Sequence, residues 1–165
     1  MKRTSFARMH CSLARGLDLI GDWWSPLIVR DLFLDVVRFD DLVEDLGISR
    51  NLLTRRLKSL TENGVIERNV YQRRPVRYEY RLAAAGRDLV PAILALTAWG
   101  DRWARAKEGS PILFVHKTCG HQFQPLVSCS ACGGAISADA VRPIAGPGGA
   151  AKRGTKIVAR RLRDA

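Results

Sequence analysis

Two short runs near the carboxyl-terminal end of the chain carry side chains that could bind a metal ion. A His-x2-Cys-Gly run occupies residues 116–120, and a Cys-x2-Cys-Gly run occupies residues 129–133. A zinc ribbon takes two ligands from each of two such turns, and three cysteines with one histidine are an accepted tetrahedral set for structural zinc. The predicted ligands are His116, Cys119, Cys129 and Cys132. Four protein ligands leave no open coordination position, so we expect the zinc ion to be structural rather than catalytic.

Two alternatives to this ligand set are open from the sequence. His121 is a rival to His116, because a Cys119-x-His121 pair is also compatible with metal binding. The simpler interpretation is that the thiols of this segment are ordinary cysteines and that His116 is incidental. One argument favours metal binding: residues 112–138 are too few to form a hydrophobic core that would keep the segment folded without a metal ion. The candidate strands of the ribbon are the apolar stretches 112–115 and 123–127.

A predicted helix that begins after Ser49 concentrates hydrogen-bond donors on one face. At 100° per residue one face carries Leu53, Leu57 and Leu60, and the opposite face carries Arg50, Asn51, Thr54, Arg55 and Lys58. Such donors suit base edges and phosphates, and an α-helix fits the major groove of B-DNA. Taken alone, the same pattern is typical of any solvated amphipathic helix.

The segments before this helix supply the rest of a helix-turn-helix. Four helices are predicted, over residues 13–20, 25–35, 39–46 and 50–63. Ser25 and Pro26 mark the start of the second helix, and Ser49 is placed to cap the fourth. Gly47 provides the turn between the third and fourth helices, and Gly64 ends the fourth. Two short helices joined by a tight glycine-containing turn are typical of a helix-turn-helix.

A basic hairpin follows the fourth helix. Residues 65–71 and 76–82 alternate in β-forming side chains, and the Gln-Arg-Arg-Pro stretch 72–75 lies between them as a hairpin tip. A basic wing beside a donor-rich helix lets one domain contact a major groove and a neighbouring backbone or minor groove, which favours double-stranded DNA as the partner. The predicted DNA contacts are Ser49, Arg50, Asn51, Thr54, Arg55, Lys58, Arg73, Arg74 and Arg77.

A long last helix is predicted over residues 84–107. One stripe of this helix carries Leu89, Ile93, Leu96, Gly100 and Trp103. We expect the helix to form a homodimer interface with help from Trp99, Phe6 and Met9. A dimer would place two recognition helices about 34 Å apart, where they can read adjacent major grooves on one face of DNA. The alternative is that part of the stripe belongs to the core of a single chain.

Seven spaced motifs occur between residues 11 and 82, in a stretch of resemblance that covers roughly residues 11–103. They lie at residues 11–14, 17–24, 38–42, 47–49, 53–57, 64–68 and 78–82. In this order and spacing they resemble the HxlR-type regulators, a branch of the MarR-like winged helices. The resemblance implies a homodimer that binds a pseudo-palindromic operator and acts as a repressor or an activator. It also implies an effector, either a small molecule or a redox signal.

The resemblance makes Cys11 a candidate redox sensor. In some members similar to this family an early cysteine senses oxidants or electrophiles, and Cys11 occupies the corresponding early position. The alternative is that Cys11 is a small residue near the dimer interface.

Charge and hydropathy limit the functional classes. The formal net charge is +11, and residues 109–165 contribute +6 of it through eight basic and two acidic side chains. The last residues, rich first in glycine and proline and then in lysine and arginine, predict a flexible basic tail. No apolar run reaches the ~18 residues of a membrane helix. The amino terminus lacks an apolar signal region, so we expect a cytoplasmic protein.

These patterns predict an α+β chain that is mostly α, in three parts. Residues 1–110 form a winged helix-turn-helix with a long dimerisation helix, residues 111–140 a zinc-ribbon-like segment, and residues 141–165 a flexible basic tail. The predicted function is sequence-specific transcriptional regulation. The alternative is an RNA- or polymerase-binding protein that uses the ribbon and tail, with the winged helix as a protein-contact module. Catalysis is not expected, because Ser-His-Asp, phosphate-cradling glycine and HExxH motifs are missing.

Overall fold

The computed structural model describes residues 5–104 and 107–163. The elements, in chain order, are α1 (Ser12–Ile20), α2 (Trp24–Phe33), α3 (Phe39–Leu46), α4 (Arg50–Glu62), β1 (Ile66–Arg73), β2 (Val76–Leu82), α5 (Ala84–Trp103), β3 (Phe114–Val115), β4 (Gln122–Phe123), a 3₁₀ turn (Ala138–Ala140) and α6 (Lys156–Arg161). This order confirms the predicted α+β class, with mostly helical content and small antiparallel sheets.

The predicted cap of α4 is confirmed. Ser49 stands at the N-cap with extended backbone, and its hydroxyl accepts a hydrogen bond from the Leu52 N–H at 3.4 Å. The turn before it uses Gly47 at φ +60°, a left-handed conformation that glycine adopts without steric cost. Helix α3 has the predicted bounds. The helix-turn-helix therefore follows from local signals that the sequence carries.

The prediction that Ser25 caps α2 and Pro26 begins it is wrong by two residues. Trp23 occupies the N-cap position, and Ser25 lies inside the helix with 1% of its surface exposed. The carboxylate of Asp22 accepts from the backbone N–H groups of Trp24 at 3.1 Å and Ser25 at 3.3 Å. Asp22 also forms an ion pair with Arg56 of α4. A charged acceptor satisfies first-turn N–H groups better than a hydroxyl does, which explains the earlier start.

The core of the winged helix lies between α2, α3, α4 and the hairpin. Helix α4 buries Leu53, Leu57 and Leu60, which are at most 1% exposed, and α2 adds Ile28 and Val29. Each fully buried aliphatic side chain contributes roughly 1.5–3 kcal/mol from the hydrophobic effect. The burial of this apolar face determines which side of α4 faces the solvent.

The wing is the antiparallel pair β1–β2, joined at Arg74 and Pro75. Its register runs from Ile66 opposite Leu82 to Arg73 opposite Val76, with a bulge between Val70 and Gln72. A short segment before α3 joins this sheet. The Tyr80 N–H donates to the Val37 carbonyl at 2.8 Å, and the backbone of Arg38 forms an antiparallel β-bridge with that of Glu79. Sequence analysis missed this third strand-like segment, which is too short to show an alternating pattern.

The described part of the chain falls into two compact units, and the division into three parts stays a prediction. Among the described residues, one unit contains residues 5–87 and 143–163, and the other contains residues 88–104 and 107–142. Helix α5 ends at Trp103, four residues before the predicted end, and residues 105–106 lie outside the described part of the chain. None of the helices among the described residues is long and apolar enough to cross a membrane.

The tail is not an unstructured chain over its described part. Residues 156–161 form α6, and the His10 N–H donates to the Arg153 carbonyl at 2.7 Å. Gly154, at φ +94°, packs so closely on Met9 and Cys11 that an added Cβ would lie 3.2 Å and 3.5 Å from their Cβ atoms. The expected flexible tail is thus helical over residues 156–161, where Ile157, Val158 and Ala159 form an apolar run between Lys156 and Arg160. Met9, predicted at the dimer interface, lies against this tail.

The close contact at Gly86 generates a stability prediction. An added Cβ at this buried position of α5 would overlap the Val65 carbonyl oxygen, which already accepts the Ala83 N–H at 3.0 Å. Gly86→Ala should therefore lower the free energy of unfolding by about 1–3 kcal/mol. Gly16→Ala in α1, where nothing lies within 4 Å of the added Cβ, should raise it by up to about 1 kcal/mol through helix propensity. Urea denaturation measures both, and equal effects would contradict the assigned packing.

Candidate nucleic-acid interface

The exposed face of α4 carries every donor that the sequence predicted there. Its buried leucines fix the opposite face in the core, so these side chains point away from it. The exposed predicted contacts are Ser49, Arg50, Asn51, Thr54, Arg55 and Lys58. Arg56, by contrast, is half-buried in its ion pair with Asp22. The structure therefore separates a donor face from a packing face on one helix.

Arg50 is held by α3 rather than free. Its guanidinium lies 2.7 Å from Asp40 Oδ1 and 4.9 Å from the centroid of the Phe39 ring. Both members of the ion pair are exposed, so it contributes little to stability but orients the arginine. Helix α4 itself has no carboxylate before Glu62, yet Asp40 of the neighbouring helix reaches the same face. Only the fold brings this carboxylate to Arg50.

Two further donors of α4 have local partners. The Thr54 hydroxyl donates to the Arg50 carbonyl at 2.8 Å, which leaves its oxygen able to accept. Lys58 lies 3.7 Å from Glu62 one turn along the helix. Such exposed pairs are weak, so a phosphate could replace Glu62 as the partner of Lys58.

The wing adds exposed cations close to its tip. Arg73, Arg74 and Arg77 are all exposed, and the Gln72 amide donates to the Arg74 carbonyl at 3.0 Å across the turn. Among the described residues these three arginines and Arg55 form no ion pair. Their charge is available to a polyanion.

Arg81 shows that position on the wing alone does not make an arginine available. Its guanidinium lies 2.8 Å from Glu79 and 3.5 Å from Asp35. The hydrogen bond from Arg81 holds the pKa of the Glu79 carboxyl below its ordinary value. Arg81 is thus neutralised within the protein, whereas the arginines at the tip are not.

A groove of about 480 Å³ lies between the amino-terminal end of α3 and the wing. Arg38 lines it with its guanidinium 5.1 Å from the Tyr71 ring centroid, and Arg50 and Arg77 lie along the same groove. Asp40 and Asp41 in the first turn of α3 offset part of this positive charge. Sequence analysis missed Arg38 and Tyr71. The signal for Arg38 was its place directly before α3.

The cysteine segment lies apart from these elements in the chain. His116 Nδ1 lies 3.4 Å from Cys119 Sγ, while Cys129 and Cys132 contact each other. Backbone N–H groups of Ala131 and Cys132 point at the Cys129 sulfur and lower the pKa of this thiol. Over residues 5–104 and 107–163, no three His, Cys, Asp or Glu side chains form a group able to hold one metal ion. The fold therefore brings the predicted ligands together in two separate pairs, His116 with Cys119 and Cys129 with Cys132.

Known proteins share this architecture. The family model described as "HxlR-like helix-turn-helix" matches residues 19–108. An uncharacterized HTH-type transcriptional regulator of Mycobacterium bovis is 45% identical over 141 residues, which cover 86% of this chain and 89% of the relative. Because 141 residues exceed the length up to residue 108, this likeness extends into the carboxyl-terminal segment.

Solved structures agree with the sequence relatives. The crystal structure of PA1607, a candidate transcription factor, has a TM-score of 0.73 and 35% identity, and the match covers 85% of this chain and 98% of that one. The redox regulator HypR in its reduced form has a TM-score of 0.52 and 30% identity, covering 56% of this chain and 92% of that one. The first match includes residues beyond the winged helix, and the second is shorter.

The Ser49 cap can be separated from any role of Ser49 in binding. Ser49→Ala removes the acceptor for the Leu52 N–H and should lower the free energy of unfolding by about 1 kcal/mol. Ser49→Asp keeps a capping acceptor and should unfold at close to the wild-type urea midpoint. Circular dichroism during urea titration measures both. A Ser49→Ala protein as stable as wild type would show that this hydroxyl is no cap.

Proposed function

Because the chain belongs to the HxlR-like helix-turn-helix family of transcriptional regulators, we propose that it binds a pseudo-palindromic operator in double-stranded DNA as a homodimer. The observation that carries this proposal is the pair of exposed cationic surfaces on α4 and on the wing. Helix α4 and the wing pack on the same hydrophobic core. No ion-pair partner is found among the described residues for Arg55, Arg73, Arg74 and Arg77.

Helix α4 is the proposed reading element. Asn51 and Arg55 lie one turn apart on its exposed face. In the major groove an arginine can donate two hydrogen bonds to guanine, and an asparagine can pair with adenine. Ser49, Arg50, Thr54 and Lys58 surround these two side chains. We assign them to phosphate contacts, which fix the position of the helix on the duplex.

The wing is the proposed second contact. Arg73, Arg74 and Arg77 would reach a neighbouring backbone or minor groove, where positive charge adds affinity without reading sequence. Arg38 adds a cation to the groove between the wing and α3. Release of counterions from the DNA should make binding strongly salt-dependent.

Dimerisation is proposed from the apolar stripe of α5. Leu96, Trp99 and Trp103 follow one another at helical spacing and are 56%, 60% and 67% exposed. Large apolar side chains exposed in a row mark an interaction surface, and a second copy of the chain would cover them. Leu89 and Ile93 of the predicted stripe are half-buried within the chain. This agrees with the alternative that part of the stripe belongs to the core of a single chain.

The effector is also a proposal. A redox regulator, HypR, is among the structural relatives, and Cys11 is the candidate sensor in this chain. Cys11 is half-buried and lies against Gly154. An oxidant that modifies Cys11 would act next to this tail contact, whereas a small-molecule effector would bind between α5 and the dimer interface.

Two arginine variants test the reading helix and the wing separately. Operator DNA would first be selected from a random pool, and affinity then measured by fluorescence anisotropy at several salt concentrations. Arg55→Ala should cost about 1–3 kcal/mol of binding free energy and relax preference at one base position. Arg73→Ala should weaken all sequences evenly and reduce the salt slope by about one. Arg15→Ala in α1 is the charge-matched control and should change neither.

The same titration distinguishes duplex DNA binding from the alternative, RNA-binding function. If neither Arg55→Ala nor Arg73→Ala changes duplex affinity, the assignment of α4 and the wing to DNA is wrong. Tighter binding to single-stranded RNA than to duplex DNA, weakened by Lys117→Ala, would favour the RNA-binding alternative through the cysteine segment.

The dimer proposal predicts a change in association state. A Leu96→Glu, Trp103→Glu double variant places two carboxylates on the apolar stripe and should sediment as a single chain, because burying unpaired charge is costly. Wild type should sediment as two chains. Ile144→Glu makes the same kind of change at a site that is 74% exposed and should leave the dimer intact. A double variant that still sediments as a dimer would place the interface elsewhere.

A further inference from the structure

The two turns of the cysteine segment have the same backbone structure. In the first, the Gly120 N–H donates to the His116 carbonyl at 2.8 Å; in the second, the Gly133 N–H donates to the Cys129 carbonyl at 2.8 Å. The two glycines have φ of +71° and +72°. Two stretches with different sequences thus adopt one conformation, with a candidate ligand at the first and fourth positions of each.

A second hydrogen bond repeats in the same way. The His116 N–H donates to the His121 carbonyl at 2.9 Å, and the Cys129 N–H donates to the Gly134 carbonyl at 2.8 Å. His121 therefore occupies the position of Gly134, which has no side chain to offer a metal. His116 occupies the position of Cys129. This equivalence separates the two histidines that the sequence left as rivals.

Each turn closes a short hairpin. Strands β3 and β4 pair Phe114 with Phe123 around the first turn. Around the second, Ser128 bridges Ala135, and the Ile136 N–H donates to the Val127 carbonyl at 2.9 Å. The first hairpin includes less of the predicted apolar strands than expected, and Val127 belongs to the second hairpin instead. Two hairpins, each with two ligands at its tip, have the arrangement of a zinc ribbon.

These hairpins have no core of their own. From residue 110 to residue 142 none is buried, and only Phe114, Pro125 and Cys129 are even half-buried. An isolated two-stranded hairpin is at best marginally stable in water, and these pair over two residues or fewer. Hydrophobic burial therefore does not hold the two turns in their matching conformations. In small domains of this kind a structural metal supplies the missing free energy.

We propose that the two turns close on one structural zinc ion, with His116, Cys119, Cys129 and Cys132 as its ligands. In each turn the first and fourth side chains lie together, His116 Nδ1 at 3.4 Å from Cys119 Sγ and Cys129 against Cys132. The two pairs do not form one group in the described residues, so the ion draws one hairpin tip onto the other. The chain between the hairpins, residues 124–126, is free of helix and strand and can accommodate this closure.

The donor chemistry selects the metal. Three thiolates and one imidazole suit tetrahedral zinc, whereas hard cations such as magnesium and calcium prefer oxygen ligands. Four protein ligands leave no position for water or substrate, so the ion stabilises the segment and does not catalyse. The site goes beyond the proposed DNA binding, and it does not depend on α4 or the wing.

The test uses the full-length chain purified under reducing conditions. Metal content is measured by elemental analysis, and after chelation the apoprotein is titrated with Zn²⁺ alone. Wild type and the control His121→Ala should each bind about one ion per chain. His116→Ala and Cys132→Ser should lose tight binding. Hydrogen–deuterium exchange should show zinc-dependent protection of residues 112–136 in wild type, with residues 12–82 unchanged in every variant.

The unchanged winged helix keeps the experiment interpretable, because its exchange shows that each variant is folded. Less than about one zinc per two chains in wild type would overturn the proposal. Equal protection of residues 112–136 with and without zinc would also overturn it. Loss of zinc in His121→Ala but not in His116→Ala would overturn the ligand assignment. DNA affinity measured on the same samples is a separate result, so failure of one proposal is distinguishable from failure of the other.

Discussion

The burial of one face of α4 is the constraint on which the rest of the proposed DNA-binding surface depends. Leu53, Leu57 and Leu60 are almost fully removed from solvent, and a rotation of the helix would expose them at a cost of several kcal/mol. Since the donor side chains lie on the opposite face, the apolar core positions them without touching them. The Asp22–Arg56 ion pair ties the flank of α4 to the start of α2. The position of the proposed reading surface is thus a consequence of hydrophobic packing.

Within that surface, ion pairing decides which charges can act outside the protein. Arg56 and Arg81 are engaged by carboxylates of the same chain, whereas Arg55 and the arginines of the wing tip are not. Arg50 is intermediate, because its partner Asp40 is exposed and a phosphate could displace it. The net charge of +11 therefore overstates the positive charge that DNA would meet at any one place.

The cysteine segment follows a different physical rule from the winged helix. The winged helix buries a shared core, while residues 110–142 contain no buried residue at all. Their order consists of hairpins and turns whose hydrogen bonds are exposed to water, and such bonds alone are worth little. The proposed metal supplies a local cross-link where hydrophobic burial is missing. In this proposal, hydrophobic burial stabilises the winged helix and a metal ion stabilises the cysteine segment.

The sequence by itself determined the features that rest on local periodicity and local hydrogen bonds. The bounds of α3, the Ser49 cap, the two wing strands and the leucine face of α4 all follow from residues within one or two turns of each other. Only the tertiary structure decided what distant residues do to one another. It placed Asp40 on Arg50, Asp22 on Arg56, and the tail against Met9 and Cys11. These contacts join residues that no spacing rule relates, because they depend on how elements pack rather than on how each one forms. For the same reason, sequence spacing left two candidate histidines, and the matching turn geometry favours His116 over His121.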